Sequence, residues 1–313
     1  MSVVSPSIQK IDIGGGRIVS RSHGSAVVFS ELSSTYPLKL LSPRITQAGV
    51  ALVYILSYGG GLVGGDRIKL SVDVGSETTL VLLSQGSTKV FKTRPGNRAS
   101  GGAQRTSCSS LGPITTTQTM DVLISHNSAL FLLPDPVTCF RSASYNQIQT
   151  FRLSGDSSSA VLLDWVTSGR KSLGEEWVFS RYYSVNEVWV DGKKIVKDVL
   201  LLEDSIEDTK PLPQRRLGDK LAPYSCYATL ILYGPLVQNI ILSLNAEYET
   251  ISVFKMNVPS DLIWSISGIS DGKGCVVRVA GKDTEGVKSW LGNALRKLED
   301  VMSIDMYRRA FSA

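Results

Sequence analysis

Five glycines stand within seven residues, Gly59, Gly60, Gly61, Gly64 and Gly65, and Asp66 follows them directly. The chain then alternates with period two: Ile68, Leu70, Val72 and Val74 fall on one face, with polar residues between them. Such alternation marks a half-buried strand, and it restricts what the glycines can do. Gly59, Gly61 and Gly64 fit G-x-G-x-x-G. A dinucleotide site, however, needs a helix after the glycines, so that the pyrophosphate meets the helix N-terminus. With a strand there instead, the glycines are expected to form a tight strand connection in which neighbouring backbone packs close. The alternative is a nucleotide- or phosphate-binding enzyme that uses residues 59–66, since turn N–H groups bind anions without a helix.

The same strand character extends over the first two thirds of the chain. Short apolar runs at residues 26–29, 38–41 and 50–57 are separated by Ser, Pro and Gly. After the glycine-rich stretch come residues 79–83, then a polar knot at 84–89. Strands are expected to resume at 115–124, 129–133, 148–153 and 160–167. Asp191-Gly192 between two long β-rich runs is a hairpin signal. Residues 94–113, rich in Gly, Ser and Arg, read as a long loop. Helical signals concentrate after residue 220. Pro235 suits a first helical position, and Leu236, Val237, Ile240, Ile241 and Leu244 follow at helical spacing. The clearest helix places Val287, Trp290, Leu291, Ala294, Leu295, Leu298 and Met302 on one face, with Asp283 or Thr284 as its cap. A length of 313 residues suggests about two domains. The expected division is a β-rich body over 1–205, a polar linker or excursion over 206–224, and a mixed α/β part over 225–313 packed on the body.

Composition narrows the function. With 42% hydrophobic and 19% charged residues, the chain can bury a sizeable core and is not generally disordered. Its net charge of +5 is scattered, with no basic patch interleaved with aromatics, so nucleic-acid binding is not expected. Four cysteines, Cys108, Cys139, Cys226 and Cys275, form no C-x-x-C pair, and there are only two histidines, His23 and His126. This argues against a disulfide framework and against a metal storage site, and for a reducing compartment. The first ten residues lack the apolar core of a signal peptide, and no apolar run reaches about 18 residues. A cytoplasmic protein with no membrane partner is expected. Neither H-E-x-x-H nor G-x-S-x-G nor a phosphate-loop lysine motif occurs, and no base is matched to a nucleophile. The chain is not expected to be an enzyme.

What remains is a set of polar residues at the ends of predicted strands: Asp66 after the glycines, then Ser84, Thr88 and Lys89, then Arg170 and Glu175 beside Gly169 and Gly174. Asp164 differs, because it sits inside the apolar strand Leu162-Leu163-Asp164-Trp165. A carboxylate there is costly unless paired. Asp164 is therefore expected to meet Arg170, Lys89 or water, either as an ion pair fixing strand register or as part of a site.

At these residues the chain resembles the urease accessory protein D family (UreD, also called UreH). The resemblance is carried, in order, by GGGLVGGD at 59–66, SQGSTKVFK at 84–92, LPDPVTCF at 133–140, DWVTSGR at 164–170 and GEEW at 174–177. It covers residues 20 to 200; the last third is less distinctive. The long stretch 94–113 departs from the shorter bacterial connection and points to a plant or fungal member. The resemblance implies a mainly β fold of stacked sheets, a β-helix-like solenoid with a smaller helical part near the C-terminus. It also implies a non-enzymatic scaffold that binds apo-urease and an F-type accessory protein, through which a GTP-hydrolysing G-type protein is recruited for nickel insertion. No cofactor would be tightly bound; Ni²⁺ would pass transiently through a water-filled passage. Carboxylates and hydroxyls suit transit, whereas His and Cys clusters would trap the ion. On this view Asp66, Ser84, Thr88, Asp164 and Glu175 line or border the path, and Lys89 and Arg170 hold the carboxylates by charge-assisted hydrogen bonds. Gly60, Gly61, Gly65 and Trp177 take structural or partner-binding roles.

Overall fold

A computed structural model describes residues 11–92, 114–203, 215–251 and 260–311. The expected loop at 94–113, Cys108 and residues 206–214 of the expected linker lie outside the described residues. The first strands are β1 (Gly15–His23), β2 (Ala26–Ser34), β3 (Leu38–Leu41), β4 (Val50–Ser57), β5 (Arg67–Val74) and β6 (Thr79–Leu83). Then come β7 (Thr88–Val90), β8 (Thr116–Ile124), β9 (Ala129–Leu133), β10 (Val137–Cys139), β11 (Ser144–Leu153) and β12 (Ser159–Thr167). The hairpin β13 (Arg181–Val190) and β14 (Lys193–Glu203) turns at Asp191-Gly192, as its sequence predicts. The last third holds α1 (Leu217–Leu221), β15 (Cys226–Tyr233), α2 (Gln238–Glu249), β16 (Leu262–Ile269) and β17 (Gly274–Gly281). It ends in α3 (Thr284–Ala294), α4 (Glu299–Met302) and α5 (Ile304–Phe311).

The strands form two sheets. One has seven strands in the order β14-β13-β11-β8-β5-β1-β2; the other has ten, with the main path β16-β17-β15-β12-β9-β6-β4-β3. From β4 to β13 the chain steps back and forth between them, and successive visits to one sheet pair in parallel: β4, β6, β9 and β12 in one, β5, β8, β11 and β13 in the other. The antiparallel strands β15, β17 and β16 extend the ten-stranded sheet beyond β12. The protein is thus mainly β, with two sheets and a few C-terminal helices.

Burial explains why each stretch folds as it does. On β6, Leu80 and Leu82 enter the core between the sheets, while Val81 and Leu83 enter a second core under the helices. Phe131 of β9 and Val161 of β12 join this second core, with Ile240 and Leu244 of α2 and Val287 and Leu291 of α3. Strands buried on both faces read as unbroken apolar runs. Among the described residues the seven-stranded sheet is covered on one face only. In β5, Ile68, Leu70, Val72 and Val74 point inward, and Arg67 and Lys69 are exposed. We refer to these as the covered and the open sheet.

Three expectations need correcting. The apolar run at 226–233 is a strand, β15, in a region expected to turn helical; it pairs with β12, and the helical part starts only with the Pro235–Val237 turn before α2. The terminal helix capped by Asp283 is not continuous to Met302. Asp283 does accept from the Gly286 N–H, but α3 ends at Ala294, a 3-10 turn follows at Arg296–Leu298, and Ser303 with φ +74 separates α4 from α5. The breaks let Leu295, Leu298, Met302 and Met306 all bury against one sheet. Finally, within the described part of the expected polar excursion, residues 217–221 form a short helix, α1, with Leu217 buried.

Candidate functional site

The glycine-rich stretch is a 3-10 turn at Tyr58–Gly60 running into a loop, and β5 follows where a dinucleotide site requires a helix. Gly60 (φ +77) and Gly65 (φ +91) occupy left-handed backbone. Gly61 is required for space: a Cβ there would lie 2.6 Å from the Lys89 carbonyl oxygen. The close approach is a backbone clasp, in which Leu62 N–H donates to Lys89 O and Phe91 N–H to Leu62 O, both at 2.8 Å. Asp66 is buried and its Oδ2 accepts from the Val63 N–H at 2.9 Å, which closes the loop. The glycines thus bind the connection to β7.

Between the sheets lies a cavity of about 50 Å³. Of the residues singled out in the sequence, Ser84, Thr88 and Asp164 line it, and Asp66 and Glu175 are not among its lining residues. Its other polar lining is Ser57, Asp135, Gln118, Gln147 and Gln149. Asp135 sits in the Pro134-Asp135-Pro136 turn and is braced by Ser84: the Asp135 N–H donates to Ser84 Oγ at 2.7 Å, and Asp135 Oδ2 accepts from the Gly86 N–H at 2.9 Å. Lys288 of α3 lies 3.9 Å from Asp135 Oδ1, tying the helical layer to this end of the cavity.

Asp164 does not meet Arg170 or Lys89. Four neutral donors converge on it instead. Its Oδ1 accepts from Gln147 Nε2 (3.0 Å) and the Tyr182 hydroxyl (3.3 Å), and its Oδ2 from Ser184 Oγ (2.5 Å) and Asn186 Nδ2 (2.8 Å). Among the described residues no Lys or Arg is in ion-pair contact with it. Burial pushes the carboxyl pKa up, and the bonds from Ser184, Asn186, Gln147 and Tyr182 oppose that rise. A carboxylate has about four acceptor positions, so these donors saturate it. Asp164 can attract a cation by charge, but it can ligate one directly only by giving up a donor.

The expectation for Arg170 shifts to a different carboxylate. Its Nε and Nη2 grip Glu175 at 2.8 and 2.9 Å, Arg141 Nε adds a contact at 3.4 Å, and the guanidinium lies 4.3 Å from the centre of the Phe140 ring. The Arg170 bonds hold the Glu175 carboxyl below its usual range. Trp177, buried at φ +54, donates its indole N–H to Tyr224 O at 3.1 Å and stacks edge-on against Tyr227. Trp177 therefore ties this segment to β15, while Arg170 and Glu175 tie it to Phe140 and Arg141. Lys89 is exposed on β7. Burial raises the Cys139, Cys226 and Cys275 thiols, the last two to about 12, which keeps them protonated. Among the described residues no three His, Cys, Asp or Glu side chains converge as a metal-holding cluster.

Gln147, Gln149, Ser184, Asn186 and Asp135 join the site without having been expected there from the sequence. A signal for four of them existed. Tyr145, Phe151 and Leu153 set the inward phase of β11, and the same phase turns Gln147 and Gln149 inward while Ile148 faces out. In β13 the inward phase of Tyr182, Val188 and Val190 likewise takes in Ser184 and Asn186.

The comparisons with known proteins cover nearly the whole chain. A family model described as UreD urease accessory protein matches residues 13–308. Urease accessory protein 4 of Cryptococcus neoformans var. grubii is 38% identical over 291 residues, spanning 89% of this chain and 88% of that protein. Urease accessory protein D of Arabidopsis thaliana is 32% identical over 311 residues, spanning 92% and 97%. Urease accessory protein UreD of Sorangium cellulosum is 30% identical over 296 residues, spanning 95% and 84%. Matches that run almost end to end in a fungal, a plant and a bacterial protein leave one conclusion: this chain belongs to the UreD urease accessory protein family.

Proposed function

We propose that the chain is a non-catalytic scaffold that binds apo-urease together with an F-type and a GTP-hydrolysing G-type accessory protein, and that it assists insertion of nickel into urease. Its body reads as a β-helix-like stack, a view supported by the parallel strands that alternate between the two sheets. The observation that carries the passage reading is the inter-sheet cavity, which sets polar groups among apolar ones, with Asp164 at its wall and Asp135, Ser84 and Thr88 along it. Asp164, a carboxylate with no ion-pair partner among the described residues, beside hydroxyls and amides, attracts a divalent ion without trapping it.

The cavity also sets a condition on transit. At roughly 10–15 Å³ of cavity volume per water, a cavity of about 50 Å³ holds on the order of four waters, fewer than an octahedral aqua ion carries. Nickel would cross only if the sheets part, or if it trades waters for the oxygens of Asp135, Ser84 and Thr88. The test is activation of apo-urease with nickel, bicarbonate and the F- and G-type proteins, using the wild-type chain, Asp164→Asn and Asp135→Asn. The expected result is an assembled complex with lowered urease nickel for both variants, measured by elemental analysis. Normal nickel in both would end the passage reading, and absence of any wild-type complex would end the scaffold reading.

A further inference from the structure

The open sheet stops at β14, while the covered sheet runs on through β17 to β16. Among the described residues β14 pairs on one side only, with β13, so its other edge presents backbone N–H and C=O groups without strand partners. A groove of about 300 Å³ lies against that edge, with Val199 and Leu200 of β14 on one side and Ile263 of β16 with Arg278 and Ala280 of β17 on the other. Arg278 reaches across it to Asp198.

Proteins usually blunt such edges with lysines, prolines, bulges or short strands. The two halves of β14 differ in this respect. Lys193, Lys194 and Lys197 guard the first half, whereas residues 199–202 carry no charge and no proline. Val199 and Leu201 are 48% and 46% exposed there, on a strand of eleven residues. A backbone ladder of this kind is best satisfied by another strand. The groove also selects chemistry. Ile263, Ala280 and Leu200 offer apolar contact and Arg278 is paired with Asp198, while beside the groove, on β14, Lys194 and Lys197 both pair with the single carboxylate of Glu187.

We propose that residues 199–202 of β14, with the shelf formed by β16 and β17, receive an extended segment of a protein partner as an added strand, and that this segment alternates apolar side chains with at least one carboxylate. The inference rests on the scaffold reading above and gives it a docking surface. Hydrogen exchange read by mass spectrometry tests it, on the chain alone and in complex with apo-urease and the F-type protein. Amides of residues 199–202 should slow by about tenfold or more in the complex. Leu201→Lys, at an exposed position, should weaken co-purification, while Ile148→Lys, exposed on the same sheet away from the edge, leaves it unchanged. A complex that forms with unchanged exchange at 199–202 overturns the inference and leaves the scaffold reading standing; no complex with either protein overturns both. Protection in the chain alone also overturns it: if it grows with concentration the occupant is a second copy, and if it is independent of concentration the chain covers its own edge.

Discussion

The covered and open sheets bury by opposite rules. The central strands of the covered sheet, β6, β9 and β12, are apolar on both faces, because one face meets the other sheet and the other meets α2 and α3. The strands of the open sheet alternate, because their outer face meets water. The difference shows where polar residues can be kept. In the covered sheet a single carboxylate, Asp164, enters an otherwise apolar strand. The open sheet supplies the side chains that satisfy it: Gln147 from β11, and Tyr182, Ser184 and Asn186 from β13. The cavity is a joint product, with the charge from one sheet and its solvation from the other.

The contrast is broken most directly by deleting a side chain that only the covered sheet could bury. Phe131→Ala removes a fully buried ring between β9 and the helical layer, with an expected loss of about 3–5 kcal/mol in denaturant unfolding. A loss below about 1 kcal/mol would mean that the helical layer contributes little packing there. Asp164→Ala comes next. It leaves four donors facing the cavity without their acceptor, at an expected cost of about 1–3 kcal/mol. Asp164→Asn cannot restore them all, since an amide accepts at only one of its two heteroatoms; it should lie between alanine and wild type.

The third test uses pH. Burial raises the Asp164 pKa above its unfolded value, so the folded state holds this proton more tightly. The stabilisation from that proton is complete below the unfolded pKa of about 3.9 and is lost as pH rises through the raised folded value. Wild type should therefore lose stability relative to Asp164→Asn as pH rises across that window, read as the difference between their urea midpoints. Glu175 titrates in the opposite sense. Its depressed pKa contributes stability above its unfolded value, which is lost as pH falls, and subtracting the two proteins removes it. The smallest effect belongs to the open face. Ile148→Thr, at a site 40% exposed, should change stability by less than about 0.5 kcal/mol. A loss comparable to that of Phe131→Ala would show that something covers this face.

The residues explain which parts of this were legible. The β5 alternation was readable because one wet face imposes period two. The stretches ALFLL and AVLLDWV read as strands from length and β-rich composition, but nothing in them says what covers their second face. The run at 226–233 is not legible as a strand because its partners, β12 and β17, lie about forty to seventy residues away in sequence, a distance at which local pattern carries no information. The terminal helix was legible at its Asp283 cap and illegible at its breaks, which are set by the sheet beneath it.

The site divides in the same way. By itself the sequence determined that Asp164 was anomalous, since a carboxylate in an apolar strand needs partners wherever it is placed. It also determined that the glycines precede a strand, and it supplied the motifs that carry the family resemblance. Only the tertiary structure decided that those partners are four neutral donors and not a cation, that Arg170 belongs to Glu175, and that Asp66 closes a loop away from the cavity lining. The reason is physical. Strand character follows from neighbours in sequence, while a buried charge is satisfied by whatever the facing sheet brings within about 3 Å of it, and that depends on register between strands far apart in the chain.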